Sequence, residues 1–388
     1  MTLLPPPSSG FRLRNADMTL KERFMQISWF YIFLIFMVAA SGLVVLYAAA
    51  NGHWTPWASK QFVRFWLGMA VLMVTAMIYI RIWLKYAYAF YAVVLVMLVY
   101  VEFHGHDAMG AQRWINLGFI QIQPSELMKI ALILALSRYF HGASLQETMS
   151  FSYMVIPSLL VLLPVALVLR QPDLGTATLM AVASMAIFFL VGVQMWKFVV
   201  SGIIGLSAIP IAWRFLHDYQ KERVWTFLDP ERDPLGKGYH ILQSKITLGS
   251  GGIFGKGFLQ GTQSRLNFLP EKQTDFIFTV LAEEFGLIGS VSLLLLYLML
   301  IFYGYVIAFR SSSYFGRLLA LGLSTNLFLY VFINIAMVMG LVPVVGVPLP
   351  MISYGGTVML TLMFSFGLIE CVNVNRDVQI GRRGAYDD

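Results

Sequence analysis

FLPEKQTDFIFTVLAEEFGLIGSVSLLLLYLMLIFYGYVIAFR, residues 268–310, starts as a polar segment and turns into a long apolar run. A bilayer core about 30 Å thick needs ~20 apolar residues in a helix, and this run exceeds that length. Runs of about that size recur along the chain, which reads as a polytopic α-helical membrane protein. Composition agrees. Of 388 residues, 58% are hydrophobic and 12% charged, about half the ~25% charge of soluble domains. The short alternating segments of a transmembrane β-barrel are absent. The expected fold class is therefore all-α.

Working outward from that run gives ten expected spans: 28–50, 62–80, 83–101, 124–141, 153–169, 175–194, 196–214, 277–309, 316–340 and 352–373. They divide the chain into a cytoplasmic arm (1–27), spans one to seven (28–214), an outside loop (215–276), spans eight to ten (277–373) and a cytoplasmic tail (374–388). Orientation follows from Lys and Arg, which concentrate on the cytoplasmic side of membrane proteins. Arg12, Arg14, Lys21, Arg23, Arg81, Lys85, Arg138, Lys197, Arg310, Arg317, Arg376, Arg382 and Arg383 fall on the side of the termini, against Lys60, Arg64, Arg113, Arg170 and Arg214 in the other side's short loops. The 215–276 segment adds eight more basic residues, but at ~60 residues it is at the limit where the rule stops counting. The net charge of +7 flanks apolar runs instead of forming a stripe, so no nucleic-acid partner is expected. The single cysteine, Cys371, cannot form an intramolecular disulfide, and no Cys/His cluster has zinc spacing.

The outside loop carries enough apolar side chains, Trp225, Phe227, Leu242 and Phe254 among them, to fold as a cap on the membrane. Within it, YHILQSKITL (239–248) suits a short amphipathic helix stopped by Gly249. GSGGIFGKGFLQG (249–261) imitates a phosphate loop, but Gly257 stands where a P-loop needs Ser or Thr, so a conformationally permissive loop is the better reading. HGHD (104–107) reads as a solvated loop, not a metal site.

Five places carry candidate chemistry. In QPSELMKI (123–130) Pro124 and Ser125 start a helix, and Glu126 and Lys129 lie three apart on one face. Ionisable groups in a span mark functional sites, although such a pair can also serve packing alone. Arg113, beside Trp114, suits either a phosphate oxygen or interfacial anchoring. Asp173 in QPDLGTATL (171–179) reads foremost as the cap of the sixth span. GLVPVVGVPLPMISYGGT (340–357), which includes Ser353, is too rich in Pro and Gly for a helix. At membrane depth it must be buried in protein or line a cavity, as a groove wall or re-entrant loop. Last, Asp275 stands where the eighth span begins. It is either the N-cap of that span or a partly desolvated general base. On a continuous helix Glu283 falls roughly 12 Å and about 80° from it, so the two cannot form a close carboxylate pair. Glu283 and Glu284 are left to packing or partner contacts.

The motifs GAQRWINLG…QPSELMKI, QPDLGTA, LDPERDPLGKGYHILQSKI, GSGGIFGKGFLQGTQS, FLPEKQTDFIF, EEFGLIG and PLPMISYGGT occur in family order from the first span to the last. Together they resemble the SEDS family of cell-wall polymerases, and within it the elongation branch more than the division branch. The resemblance implies ten transmembrane helices and peptidoglycan glycosyltransferase activity on lipid II at the outer face of the bacterial cytoplasmic (inner) membrane. It implies that Asp275 is the catalytic residue. It also places Glu126 and Lys129 on the cavity wall, with Arg113, Asp173 and Ser353 as further substrate-binding residues. The implied partners are a class B penicillin-binding protein and other elongation-complex proteins. No covalent cofactor is implied, and activity is expected to respond to a divalent cation, Mg²⁺ or Mn²⁺. The rival readings are a lipid II flippase and a non-catalytic scaffold for a transpeptidase. The candidates cluster near the outer face, not the midplane, and no internal repeat is found, which disfavours a carrier.

Overall fold

The computed structural model describes residues 19–104, 106–108, 111–116, 121–171, 173–215, 218–229, 237–265 and 271–381. Among them the chain begins with α1 (Leu20–Met25), α2 (Trp29–Ala49), α3 (Trp57–Met77) and α4 (Ile80–His104). A small antiparallel sheet follows, β1 (His106–Ala108), β2 (Ala111–Asn116) and β3 (Gln121–Ile122), in the order β1-β2-β3. Next come α5 (Pro124–His141), α6 (Leu145–Met149), α7 (Phe151–Arg170), α8 (Leu174–Val191) and α9 (Met195–Phe215). The loop helices α10 (Asp218–Leu228), α11 (Lys237–Ser250) and α12 (Thr262–Arg265) precede α13 (Ile277–Arg310), α14 (Tyr314–Val338) and α15 (Gly356–Val374).

Local chemistry sets several of these ends. Ser28 caps α2 by accepting from Tyr31 N at 3.4 Å, and Ser313 caps α14 by accepting from Gly316 N at 3.3 Å. Pro124 opens α5, where a missing N–H costs nothing, and Gly192 closes α8 in the left-handed region at φ 90°. The helices then bundle: α3 lies along α15, α4 along α5, and α13 against both α2 and α14. Tyr31, Ile35, Phe315 and Phe366 fill the interior. The outer surface is apolar as well, with Val93 and Val96 of α4, Leu159 and Leu162 of α7, and Leu298 and Phe302 of α13 all exposed. Apolar cover on this scale belongs in lipid, and the chain is a multi-pass membrane protein.

Seven helices, α2, α4, α7, α8, α13, α14 and α15, are long and apolar enough to cross a membrane. The three other expected spans also form helices, but with weaker apolar character. Lys60 and Arg64 lie in α3, Glu126, Lys129 and Arg138 lie in α5, and the apolar part of α9 is Met195–Ser207. The sheet is a departure from an all-loop reading of 104–122, with the HGHD motif ending α4 and entering β1. α11 encloses the expected 239–248 helix, but its buried residues include Gln243, Ser244 and Thr247 while Ile246 is exposed. Ser244 Oγ donates to Val338 O at 2.7 Å, which docks that polar face on the end of α14.

Two irregular segments shape the site. Residues 339–355 hold no helix, so the tenth span starts at Gly356 and not at 352. Its later part is buried in protein: Leu349, Met351 and Ile352 are at most 2% exposed, while Met339 and Leu341 are exposed. Its carbonyls find donors in neighbouring side chains. Gln61 Nε2 reaches Ser353 O at 3.1 Å and Met351 O at 3.4 Å, and Tyr297 Oη donates to Pro350 O. The second is a kink in α13 at Gly286, with φ 65° and ψ −159°. The glycine loop of 251–257 feeds the backbone groups the kink releases. Leu287 N donates to Gly252 O at 2.9 Å, Ile288 N to Ile253 O at 3.1 Å, and Lys256 N to Glu283 O at 2.9 Å.

Candidate active site

Asp275 lies in a run of turns, 271–276, directly before α13. It does not cap that helix. The N-cap is Phe276, with no side-chain cap bond, because the turn ends one residue later than a cap at Thr274 or Asp275 requires. The half-buried Asp275 carboxylate instead faces the irregular 339–355 segment, where a Cβ on Gly346 would stand 3.5 Å from Oδ2. Gly346 has φ 74°, a left-handed backbone that favours glycine at this position.

Three bonds clamp this turn, two from 339–355 and one from α14. Tyr354 N donates to Gln273 O at 2.8 Å, Ser353 Oγ donates to Thr274 O at 2.6 Å, and Asn334 Nδ2 donates to Asp275 O at 3.0 Å. Asn334 Nδ2 also reaches Val347 O at 2.7 Å, tying the Asp275 turn and 339–355 to α14. Ser353, expected to face substrate, is 4% exposed, and its oxygen also accepts from Leu349 N at 2.7 Å. Its hydroxyl thus holds the turn behind Asp275. Lys272, in the same turn, is buried, and burial lowers its ammonium below the usual lysine value.

The Glu126–Lys129 pair forms inside the bundle on the first turns of α5. Lys129 Nζ stands 2.6 Å from Glu126 Oε1, and the two residues are 2% and 5% exposed. Tyr330 of α14 completes the pair from across the bundle. Its hydroxyl donates to Glu126 Oε2 at 2.5 Å, Lys129 Nζ donates to its oxygen, and the ammonium sits 4.4 Å from its ring centroid. Such satisfaction is what two buried charges need, since each costs several kcal/mol to desolvate. Tyr330 and Asn334 are four apart, one turn or about 6 Å along α14. One helix face therefore positions the ion pair and the Asp275 turn next to each other.

The remaining expected residues fall out differently. Asp173 is the N-cap of α8, as its local sequence suggested, accepting from Thr176 N at 3.1 Å and Thr176 Oγ1 at 3.0 Å. Arg113 lies on β2, and its side chain is outside the described residues. The sheet that carries it is joined to the same region, since Thr357 Oγ1 donates to Gln121 O of β3 at 2.6 Å. Glu283 and Glu284 bind the glycine loop and do not enter the Asp275 turn. Glu283 accepts from Lys256 Nζ at 2.8 Å and Gln263 N at 2.9 Å, and Glu284 from Leu259 N at 3.2 Å.

Tyr330 and Asn334 were missed, although a signal existed. NLFLYVFINI places Asn326, Tyr330 and Asn334 at a strict spacing of four inside an apolar span, one polar line on one helix face. Reading that line as α5's partner required the long-range contact.

Comparison with known proteins places these features in a family. The chain is 44% identical over 347 residues to the peptidoglycan glycosyltransferase MrdB of Escherichia coli strain K12, covering 89% of this chain and 92% of that protein. It is 34% identical to the stage V sporulation protein E of Bacillus subtilis, over 89% of this chain and 96% of that one. Among solved structures it is similar to a chain of a peptidoglycan synthase complex that coordinates polymerization and crosslinking, with a TM-score of 0.78, 32% identity and coverage of 90% and 98%. The rod shape determining protein RodA of Thermus thermophilus gives a TM-score of 0.68 and 27% identity, with coverage of 91% and 98%. The family model for FtsW, RodA and SpoVE, described as cell cycle proteins, matches residues 22–378. A match over nearly the whole chain, with relatives this similar along their full length, means that this chain belongs to the FtsW/RodA/SpoVE family.

Proposed function

We propose that this chain is a peptidoglycan glycosyltransferase of cell elongation, polymerising lipid II at the outer face of the bacterial inner membrane. The observation that carries the chemistry is the placement of Asp275. It is a half-buried carboxylate in a clamped turn, released from capping, facing a glycine-lined irregular segment and one helical turn along α14 from a buried ion pair. The proposed topology has ten crossings, with α3, α5 and α9 joining the seven most apolar helices. Both termini are cytoplasmic, and residues 215–276 form a cap outside.

In the proposed step a sugar hydroxyl attacks the anomeric carbon of a lipid-linked sugar, a new glycosidic C–O bond forms, and the bond to the pyrophosphate oxygen breaks. Asp275 takes the hydroxyl proton as general base. Lys129 and Arg113 offset the charge that develops on the departing pyrophosphate, and Glu126 with Tyr330 fixes the Lys129 ammonium. Asp173 and Ser353 contribute by shaping: one sets the start of α8, the other holds the Asp275 turn. No three His, Cys, Asp or Glu side chains among the described residues converge on a metal-sized site. A divalent cation, Mg²⁺ or Mn²⁺, would add positive charge against the departing pyrophosphate. The polymerase works with a class B penicillin-binding protein, which crosslinks the strands it makes.

The test is polymerisation of lipid II in detergent by the purified chain with its transpeptidase partner. Wild type is expected to make polymer, and Asp275→Asn to make none while keeping the wild-type melting curve. Undiminished polymer from that variant removes Asp275 from the mechanism. A wild type that makes no polymer but moves labelled lipid II across proteoliposomes establishes the flippase reading instead.

A further inference from the structure

We propose that Lys60 and Arg64, on the first two turns of α3, form a phosphate subsite for the pyrophosphate of a bound polyprenyl-linked substrate, additional to the Lys129 and Arg113 roles in the reaction step above. The inference rests on the substrate class proposed above. The two side chains line an open cavity of about 340 Å³ together with Ser59 and Val63. Among the described residues neither makes an ion pair, so this is a cavity with two cationic walls and no acidic one.

Arg64 is held in a way that a membrane-flanking arginine is not. An arginine at a helix end ordinarily extends its head to water. Here the guanidinium lies 4.6 Å from the centroid of the Tyr354 ring, its Nη1 is cut off from solvent, and that atom makes no hydrogen bond. Gly356 leaves the room: a Cβ there would meet Arg64 Cζ at 3.2 Å. A planar donor set that is stacked on a ring, with one buried nitrogen short of an acceptor and the rest beside an open cavity, is prepared for an anion with several oxygens.

The position joins this cavity to the Asp275 site. Gln61, between the two cations in sequence, donates to Ser353 O at 3.1 Å, and Tyr354 N donates to Gln273 O at 2.8 Å, two residues before Asp275. The occupant is a lipid-linked anion because the same helix exposes Phe62, Val63 and Trp66, an apolar bed for a prenyl tail beside the charged head. Lys60 and Arg64 are four apart, about 6 Å in rise, which spans two phosphates better than one.

The test uses the full chain in phosphatidylcholine nanodiscs. Replacing both cations (Lys60→Gln with Arg64→Gln) is expected to raise KM for lipid II at least tenfold, with kcat within threefold and unchanged melting. Binding of undecaprenyl pyrophosphate, read by native mass spectrometry, is expected to weaken by the same factor. Unchanged KM and unchanged binding overturn the proposal. So does a defect that appears only when phosphatidylglycerol is added, since the pair then serves a phospholipid headgroup. If the double variant melts early, Lys60→Gln and Arg64→Lys are read singly instead. Each is expected to raise KM and to weaken undecaprenyl pyrophosphate binding at least threefold, Arg64→Lys because it keeps the charge but loses the planar donor set, and unchanged KM and binding in both overturn the subsite. The binding measurement needs no turnover. A wild type that binds the pyrophosphate without polymerising fails the function proposed above and keeps the subsite, whereas one that does not bind fails the subsite.

Discussion

Replacing Lys129 with methionine asks whether Glu126, Lys129 and Tyr330 act as one electrostatic unit. The ammonium sits 2.6 Å from Glu126 Oε1, and neither residue exceeds 5% exposure. Methionine fills a similar volume but leaves Glu126 as a buried charge with only the Tyr330 hydroxyl to offset it. Breaking a buried pair from one side costs about 3–5 kcal/mol. Glu126→Gln strands the ammonium instead and costs a similar ~3–5 kcal/mol. Removing both charges at once strands neither, and a doubly neutralised site is often near neutral in stability. The double variant is therefore expected to lose far less than the ~6–10 kcal/mol sum of the singles, a coupling of at least about 3 kcal/mol. The assay is unfolding in mixed micelles followed by tryptophan fluorescence for wild type, both singles and the double. Losses that add to within about 0.5 kcal/mol refute the reasoning, because independent sites behave that way. Polymerisation measured on the same four proteins separates stability from chemistry. A double variant that is stable yet inactive shows that Lys129 is needed for more than balancing Glu126.

Gly286→Ala forces a Cβ to 2.3 Å from Gly255 N at φ 65°, so a loss of about 1–3 kcal/mol from backbone strain is the minimum expected, seen as early melting and faster proteolysis of the glycine loop. Ser353→Ala removes one donor and one acceptor, to Thr274 O and Leu349 N. It is expected to cost about 1–3 kcal/mol and to lower kcat more than it raises KM, as read from polymerisation kinetics. Burial holds the Lys272 ammonium below its ordinary 10.5, so the unfolded chain binds that proton more tightly. Stability should rise with pH from the lowered value up to 10.5, and Lys272→Met should flatten that slope in melting curves taken across the window.

What the sequence determined by itself is whatever depends on length and local period. Apolar runs of span length decide for the membrane, because no soluble core needs them. The spacing of three puts Glu126 and Lys129 on one face of α5, because a helix turns every 3.6 residues. The prolines and glycines of 340–357 exclude a helix there, because Pro lacks the donor and clashes with the preceding turn. Tertiary structure decided what depends on partners distant in the chain. Local sequence allowed Asp275 to cap the eighth span as readily as to serve as a base. Its turn is held away from a cap position by bonds to Asn334, the Ser353 hydroxyl and Tyr354 N, 59 residues and more away. Glu283 and Glu284 looked like charges buried in a span, and a glycine loop about 20–25 residues upstream satisfies them while kinking the helix at Gly286. Tyr330 closes the ion pair from 204 residues beyond Glu126. A buried charge in an apolar span announces that some partner must exist, since leaving it unpaired costs several kcal/mol. Which partner comes forward is a matter of how the helices pack, and no local period encodes that.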